Sequence, residues 1–225
     1  MNITSSDLRE DILKMASIVE SNLEQALRVE VELKDVFVLE NEINKFHTSI
    51  DDSVFKYIAL KTPAATDLRI ALSVMKMNSE LERIGDQAVN IKRNLKRIAK
   101  LHPSIDSLSE EVKMMLRNSI DAFVKHDSKL ATDVIHHDQE VNDLYRDIMK
   151  TFIGQIKADF IDFDEGFSVI RLAKCLERIG DLSTNIAEDV IFLESGTDIR
   201  HNAHIKFGRR KEDQVVTDKL KDNHE

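Results

Sequence analysis

The chain has 225 residues with only 2 prolines, 6 glycines, no tryptophan and one cysteine, while 42% of its residues are hydrophobic. Sheet folds need turn residues about every eight to twelve positions, so this composition excludes them and points to an all-α protein with long helices and enough apolar content to fill a core. A net charge of −9, from 32 basic and 41 acidic residues, excludes a general nucleic-acid or anionic-membrane binder, which would need a basic face.

In chain order, Ser5 or Ser6 is placed to cap a first helix, with Asp7, Glu10 and Asp11 at its positive dipole end. Its apolar stripe is Leu8, Ile12, Met15, Val19, Leu23 and Ala26. A second helix is expected over Leu33 to Leu60, with Val36, Leu39, Ile43, Phe46, Ile50, Val54 and Tyr57 inward. Pro63 breaks it and suits the start of a third helix, with Asp67 near that N-terminus. In the third, Leu81, Ile84, Ala88, Ile91, Leu95 and Ile98 form a heptad seam of the kind found in antiparallel bundles. Pro103 and the Ser104–Ser107 stretch are expected to end the first half. A fourth helix follows over Leu108 to Lys125 and a fifth over Leu130 to Ile156. The sixth, Gly166 to Leu193, carries the seam Leu176, Ile179, Ser183, Ile186, Val190 and Leu193, with Gly196 as its stop. Residues 197–225 are polar and weakly periodic, and are expected to be a flexible tail, its KFGRRK stretch (Lys206 to Lys211) solvated.

The N-terminus turns charged at once and lacks an apolar core of signal-peptide length. No apolar run approaches the ~20 residues of a membrane span. A soluble, cytoplasmic protein without a transmembrane segment is expected. The lone Cys175 excludes a disulfide framework and a cysteine-rich zinc site, and its place beside the sixth-helix seam makes it a near-core residue.

Self-comparison is the most informative step. Leu81-Glu82-Arg83-Ile84-Gly85-Asp86 recurs without change as Leu176-Glu177-Arg178-Ile179-Gly180-Asp181, 95 positions later. Ser73-Val74 and Asn90-Ile91 recur as Ser168-Val169 and Asn185-Ile186 at the same offset. Upstream, Glu42-Ile43-Asn44 answers to Glu140-Val141-Asn142 at an offset of 98. The difference falls in the loop between the second and third helix of each half. The chain is therefore read as two tandem, similar three-helix bundles, over 5–103 and 104–196, followed by the tail at 197–225.

Residues four apart share a helix face, so Glu82 projects with Asp86 and Glu177 with Asp181, and Asn90 and Asn185 extend each stripe by a turn. Each acidic pair flanks the seam and is expected to be partly shielded. Like charges one turn apart repel, and a repeated pair asks for a compensating cation. That cation is either a lysine or arginine partner or a hard metal ion held by oxygen ligands. Arg83 and Arg178 point elsewhere on their helices. Acids of the preceding helix, Glu40 and Glu42 in the first half and Asp138 and Glu140 in the second, could add to such a site. The bland reading, a solvated acidic face, competes with it. Gly85 and Gly180 each cost about 1 kcal/mol in a helix interior, and their recurrence points to close helix packing or room for an ion. None of the 8 histidines follows a glutamate by three residues, which removes the ferritin-like pattern. His136 and His137 are read as surface residues. No Gly-rich phosphate loop, G-x-S-x-G or zinc-protease motif occurs.

At these residues the sequence resembles the PhoU family of phosphate-specific transport accessory proteins. The resemblance is carried by Pro63-x-Ala65-x-Asp67-Leu68-Arg69, by Leu81 to Asp86, and by Leu176 to Asp181 continued through Thr184-Asn185-Ile186-Ala187-Glu188 to Ser195-Gly196. It covers about residues 5–196. It implies two similar three-helix bundles side by side. It also implies iron or zinc carried by the acidic motifs in some members, which map here onto Glu82 and Asp86 and onto Glu177 and Asp181, with Glu40, Glu42, Asp138 and Glu140 as helix-two acids. Members regulate phosphate uptake, act between the phosphate ABC transporter ATPase subunit and a membrane sensor histidine kinase, repress phosphate-starvation genes when phosphate is plentiful, and are often homodimers. Two departures stand out: Gln87 and Leu182 occupy positions where many members have histidine, and Glu40 stands where aspartate is usual. The expected function is that of a non-enzymatic adapter. The alternatives are an accessory protein of a different phosphate permease, a metal-dependent phosphohydrolase, and a metal-free structural scaffold.

Overall fold

The structure, a computed structural model, describes residues 3–195, which form six helices and, among the described residues, no strand. They are α1 (Ser5–Leu27), α2 (Leu33–Lys61), α3 (Ala65–Leu95), α4 (Pro103–Lys125), α5 (Ser128–Lys157) and α6 (Phe163–Ser195). The expected stop at Gly196, the tail at 197–225 and its Lys206–Lys211 stretch lie outside the described residues.

Helix starts are set by capping chemistry, and here the structure corrects the sequence reading. Thr4, not Ser5 or Ser6, caps α1. Its hydroxyl accepts from the Asp7 amide at 3.2 Å, and the Asp7 carboxylate accepts from the Thr4 amide at 2.8 Å. The reciprocal pair needs an acid three residues beyond the cap, and only Thr4 has it. Pro103 opens α4 instead of ending the first half: its missing N–H is one that a first turn leaves unsatisfied anyway. His102 caps that helix, accepting from the Ser104 amide at 3.3 Å, and rests edge-on against Phe152 with ring centroids 5.3 Å apart. The boundary between the halves thus falls in the 96–102 connection. α5 starts at Ser128 because the Asp127 carboxylate accepts from the Lys129 and Leu130 amides, both at 3.0 Å. α6 starts at Phe163, a turn's length before Gly166, because the Asp162 carboxylate accepts from the Asp164 amide at 2.9 Å. α3 stops at Leu95, so Ile98 leaves the seam and lies half-buried in the following turn.

α1, α2 and α3 pack as one bundle and α4, α5 and α6 as the other, with α3 against α6 joining them. Both seams are buried: Leu81, Ile84, Ala88 and Ile91 in α3, and Leu176, Ile179, Ile186 and Val190 in α6. Fully burying each larger aliphatic chain contributes about 1.5–3 kcal/mol. Ser183 sits in the second seam with its hydroxyl donating to the Ile179 carbonyl at 2.8 Å. Phe46 lies half-buried against the first core, while Leu39, expected inward, is half-buried without packing on it. Across the α3–α6 contact, Lys76 pairs with Asp189 at 3.0 Å and Asn185 donates to Glu80 at 3.4 Å. The pairing number rises along α3 as it falls along α6, so the two central helices run antiparallel. The turns of the two halves therefore point to opposite ends of the molecule.

The two repeat-related glycines, Gly85 and Gly180, lie where the second helix of each half closely approaches the third. A Cβ on Gly85 would stand 3.0 Å from Ile43 Cδ1, and one on Gly180 would stand 3.2 Å from Val141 Cγ1. Ile43 and Val141 are themselves the repeat-related pair of α2 and α5.

A duplicated carboxylate face as candidate functional site

The third helix of each half carries its acids beside the second. In the first half Glu82 is half-buried, Asp86 is exposed and Glu40 of α2 is half-buried. Glu40 accepts from the Asn44 amide nitrogen at 2.5 Å. Its counterpart Asp138 of α5 accepts from Asn142 at 2.7 Å. The carboxylate–asparagine pair is thus repeated, at the offset of 98 found in the sequence. Partial burial pushes the Glu82 carboxyl above its ordinary range, and Asp86 and Glu40 add to the rise while His47 and Arg83 oppose it.

The second half is more crowded. Glu177 is buried, with 8% of its surface exposed. Asp181 is pushed up to about 6 by desolvation, then by Glu177 and Asp138, with Lys174 and Arg178 opposing. Its carboxyl still reaches solvent. The structure therefore brings together Glu40, Glu82 and Asp86 in one half and Asp138, Glu177 and Asp181 in the other.

Other candidates lie elsewhere. Glu42 is exposed. Glu140 is exposed and lies 3.4 Å from His137 Nδ1. Asn90 accepts from Arg93 at 3.3 Å, and Asn185 reaches across to Glu80. His136 is exposed, but His137 is half-buried and bonds Glu111 of α4 at 2.7 Å, so it is an interhelical link rather than a surface residue. Arg83 turns away to Glu80 at 3.2 Å, and Cys175 is half-buried against the core.

Sequence reasoning missed Lys174. Its ammonium donates to Glu177 at 2.5 Å and lies 5.2 Å from the centre of the Tyr145 ring. Three-residue spacing to Glu177 was the available signal. Its first-half counterpart is Ser79, and that of Tyr145 is His47. The two carboxylate faces therefore differ in counter-charge: a lysine bonded to Glu177 in the second, and in the first His47 and Arg83 acting on Glu82 without a bond to it.

Among the described residues, no group of three or more His, Cys, Asp or Glu side chains is arranged to hold a metal ion. The donors that do gather are carboxylate and amide oxygens, which suit a hard cation.

The raised Asp181 carboxyl has a measurable consequence. A folded-state value of about 6 against 3.8 means that the folded chain takes up a proton where the unfolded chain does not. The penalty is complete above pH 6 and gone below 3.8. For a solvent-reachable carboxyl, screening reduces it to about 1 kcal/mol. Asp181→Asn should therefore raise the unfolding free energy measured by urea titration by about 1 kcal/mol at pH 7.5 and leave it unchanged at pH 3.5.

A duplicated three-helix bundle, with its long third helices paired antiparallel and each flanked by a Glu-x-x-x-Asp step against an acid of the second helix, defines a two-repeat, all-helical carboxylate-faced class. The PhoU domain matches residues 12–95 and again 105–190, and the chain belongs to the PhoU family. It is 30% identical to the phosphate-specific transport system accessory protein PhoU homolog of Pseudomonas putida, over 99% of this chain and 91% of the relative. It is 29% identical to the accessory protein PhoU of Escherichia coli, over 89% of this chain and 87% of that one. The crystal structure of PhoU from Pseudomonas aeruginosa superposes with a TM-score of 0.81 at 28% identity, covering 85% of this chain and 97% of that one. The phosphate transport system regulatory protein PhoU from Streptococcus pneumoniae shares the fold, with a TM-score of 0.80 and 24% identity, over 86% of this chain and 96% of that one. Among the described residues no helix is long and apolar enough to cross a membrane.

Proposed function

We propose that the chain is a cytoplasmic, non-enzymatic regulator of phosphate uptake. It acts as a homodimeric adapter between the ATPase subunit of a phosphate ABC transporter and a membrane sensor histidine kinase, and keeps phosphate-starvation genes off when phosphate is plentiful. The observation that carries this reading is the PhoU domain matched in both halves of the chain, with relatives described as phosphate-specific transport accessory proteins over nearly their whole length. The carboxylate faces supply the second element. Glu82 and Asp86 with Glu40, and Glu177 and Asp181 with Asp138, would turn toward one another to hold iron or zinc, which would offset much of their mutual repulsion and reduce the negative charge of each face.

Deleting the gene tests the regulatory reading. Alkaline phosphatase activity in phosphate-rich cells should rise to the starved level. Activity that stays low, with phosphate uptake unchanged, would contradict it. The metal is tested separately by thermal melting of the purified chain with ferric ion or zinc. Saturation at 100 times the dissociation constant should add about 2.7 kcal/mol. The variant Glu82→Gln, Asp86→Asn, Glu177→Gln, Asp181→Asn should show no shift.

A further inference from the structure

The turn between α5 and α6 presents aromatic surface that the fold does not use. Phe160 is 85% exposed, Phe163 61% and Phe167 45%. Phe163 and Phe167, one turn apart on α6, stack with ring centres 5.7 Å apart and planes within 7°. Exposed apolar side chains scattered singly mean little, but a contiguous patch marks an interaction site. The patch is held firmly. Asp162 caps α6 beneath it, and Glu165 accepts from the Ala99 amide at 2.8 Å, tying the turn to the connection between the halves.

The duplication supplies an internal control. The equivalent α2–α3 turn is built from Thr62, Pro63 and Ala64, and the positions matching Phe163 and Phe167 at the repeat offset are Leu68 and Leu72. Both leucines are half-buried. The same architecture forms with tucked-in aliphatic side chains and no ring at either position, so the exposed aromatics are not there for folding.

Charge decides what covers the patch. The segment 159–165 holds Asp159, Asp162, Asp164 and Glu165 and no base. Arg171 lies at the far side of the patch, 5.9 Å from the centre of the Phe167 ring, which leaves the acids beside Phe160 and Phe163. An anionic lipid surface would be repelled by those acids. Two copies docking patch to patch would set identical acids against each other. The complementary occupant is an apolar pocket rimmed by lysine or arginine. We infer that Phe160 and Phe163, ringed by these acids, are the anchor by which the chain docks into such a pocket on the ATPase subunit of the phosphate transporter. This rests on the adapter reading given above.

The test is binding of the purified full chain to the purified ATPase subunit, measured by biolayer interferometry at two salt concentrations. Phe160→Ser with Phe163→Ser should weaken binding about thirtyfold or more, as loss of an aromatic hot spot does. Asp159→Lys with Asp164→Lys should weaken it about tenfold and abolish its salt sensitivity. Both variants change exposed side chains. Circular dichroism should show unchanged melting for the phenylalanine variant and slightly lower melting for the aspartate variant, still folded at the assay temperature, because Asp159 has φ 53°. Wild-type and variant chains binding equally well would overturn the docking surface and leave the adapter reading standing. Variants that turn a wild-type dimer into a monomer but still bind the subunit would assign the patch to a second copy and overturn the inference. So would patch-dependent binding to phosphatidylglycerol vesicles, which would assign it to lipid. A wild-type chain that does not bind the subunit would overturn the adapter reading and this inference with it.

Discussion

Gly85→Leu and Gly180→Leu are each expected to destabilise the protein by about 3 kcal/mol, the upper part of the overpacking range. For a chain of this length that lowers the melting temperature by about 6–12 °C. At Gly85 the first added carbon already stands 3.0 Å from Ile43 Cδ1 and 3.4 Å from Ile43 Cγ2. Ile43 is fully buried, so the remaining leucine carbons have to drive α2 away from α3. At Gly180 the contacts are Val141 Cγ1 at 3.2 Å and Met115 Sδ at 3.7 Å. The same displacement moves Glu40 from Glu82 and Asp138 from Asp181, so the stabilisation by metal proposed above should fall along with stability. Gly85→Ala is the control. It gains about 1 kcal/mol of helix propensity, and Ile43 Cδ1 lies at the mobile end of its side chain, so the net change should stay within about 1 kcal/mol of zero. Thermal and urea melts of the three variants check this. A stable, metal-responsive Gly85→Leu chain would show that the helices are not held at this approach by the glycines.

Lys92→Ala is expected to cost about 3 kcal/mol, an unusual penalty for removing a lysine. Lys92 is 1% exposed, and its ammonium donates to the Arg28 carbonyl at the end of α1. Truncation removes a packed four-carbon stem. It also removes a donor from the Arg28 carbonyl, which then keeps only the Val31 amide at 3.4 Å, so most of the cost is lost packing of the buried stem. Burial holds the ammonium below the ordinary lysine range, helped by Lys96 and opposed by Glu30 and Glu32. A neutral residue of similar shape should therefore be tolerated better: Lys92→Met should lose only about 1 kcal/mol. Equal losses for the two variants in urea unfolding would remove the packing part of this argument.

Lys92 also shows where the sequence stops being informative. Seam periodicity found Ile91 and Leu95 and passed over the lysine between them, because hydropathy assigns it to water. Only the end of α1 arriving on that side of α3 gives its ammonium a partner. The repeat was legible because Leu81–Asp86 recurs unchanged, and heptad spacing placed the helix faces. Helix ends were harder. Thr4, Asp127 and Asp162 cap by side-chain bonds that the apolar stripe does not register, and Pro103 can both end and begin a helix. In the candidate site, spacing alone paired Glu82 with Asp86 and Glu177 with Asp181. It could not choose between Glu40 and Glu42, or between Asp138 and Glu140, because that depends on how α2 and α5 rotate against their neighbours. The counter-charge at Glu177 followed a local three-residue rule that favours many lysines in a chain this charged. Asn90 and Asn185 continued the acidic stripe by spacing, yet the steady drift of that stripe around the helix carries Asn185 into the α3–α6 contact.

The duplicated carboxylate face as the working surface of a phosphate-responsive regulator is tested most directly by complementation. Cells lacking the gene are grown in phosphate-rich medium, and alkaline phosphatase is measured after restoring either the wild-type chain or the Glu82→Gln, Asp86→Asn, Glu177→Gln, Asp181→Asn variant at matched protein levels. The wild-type chain should return activity to the repressed level, while the variant, folded and abundant, should leave it near the level of the deletion strain. Full repression by the variant would place the regulatory surface elsewhere on the molecule.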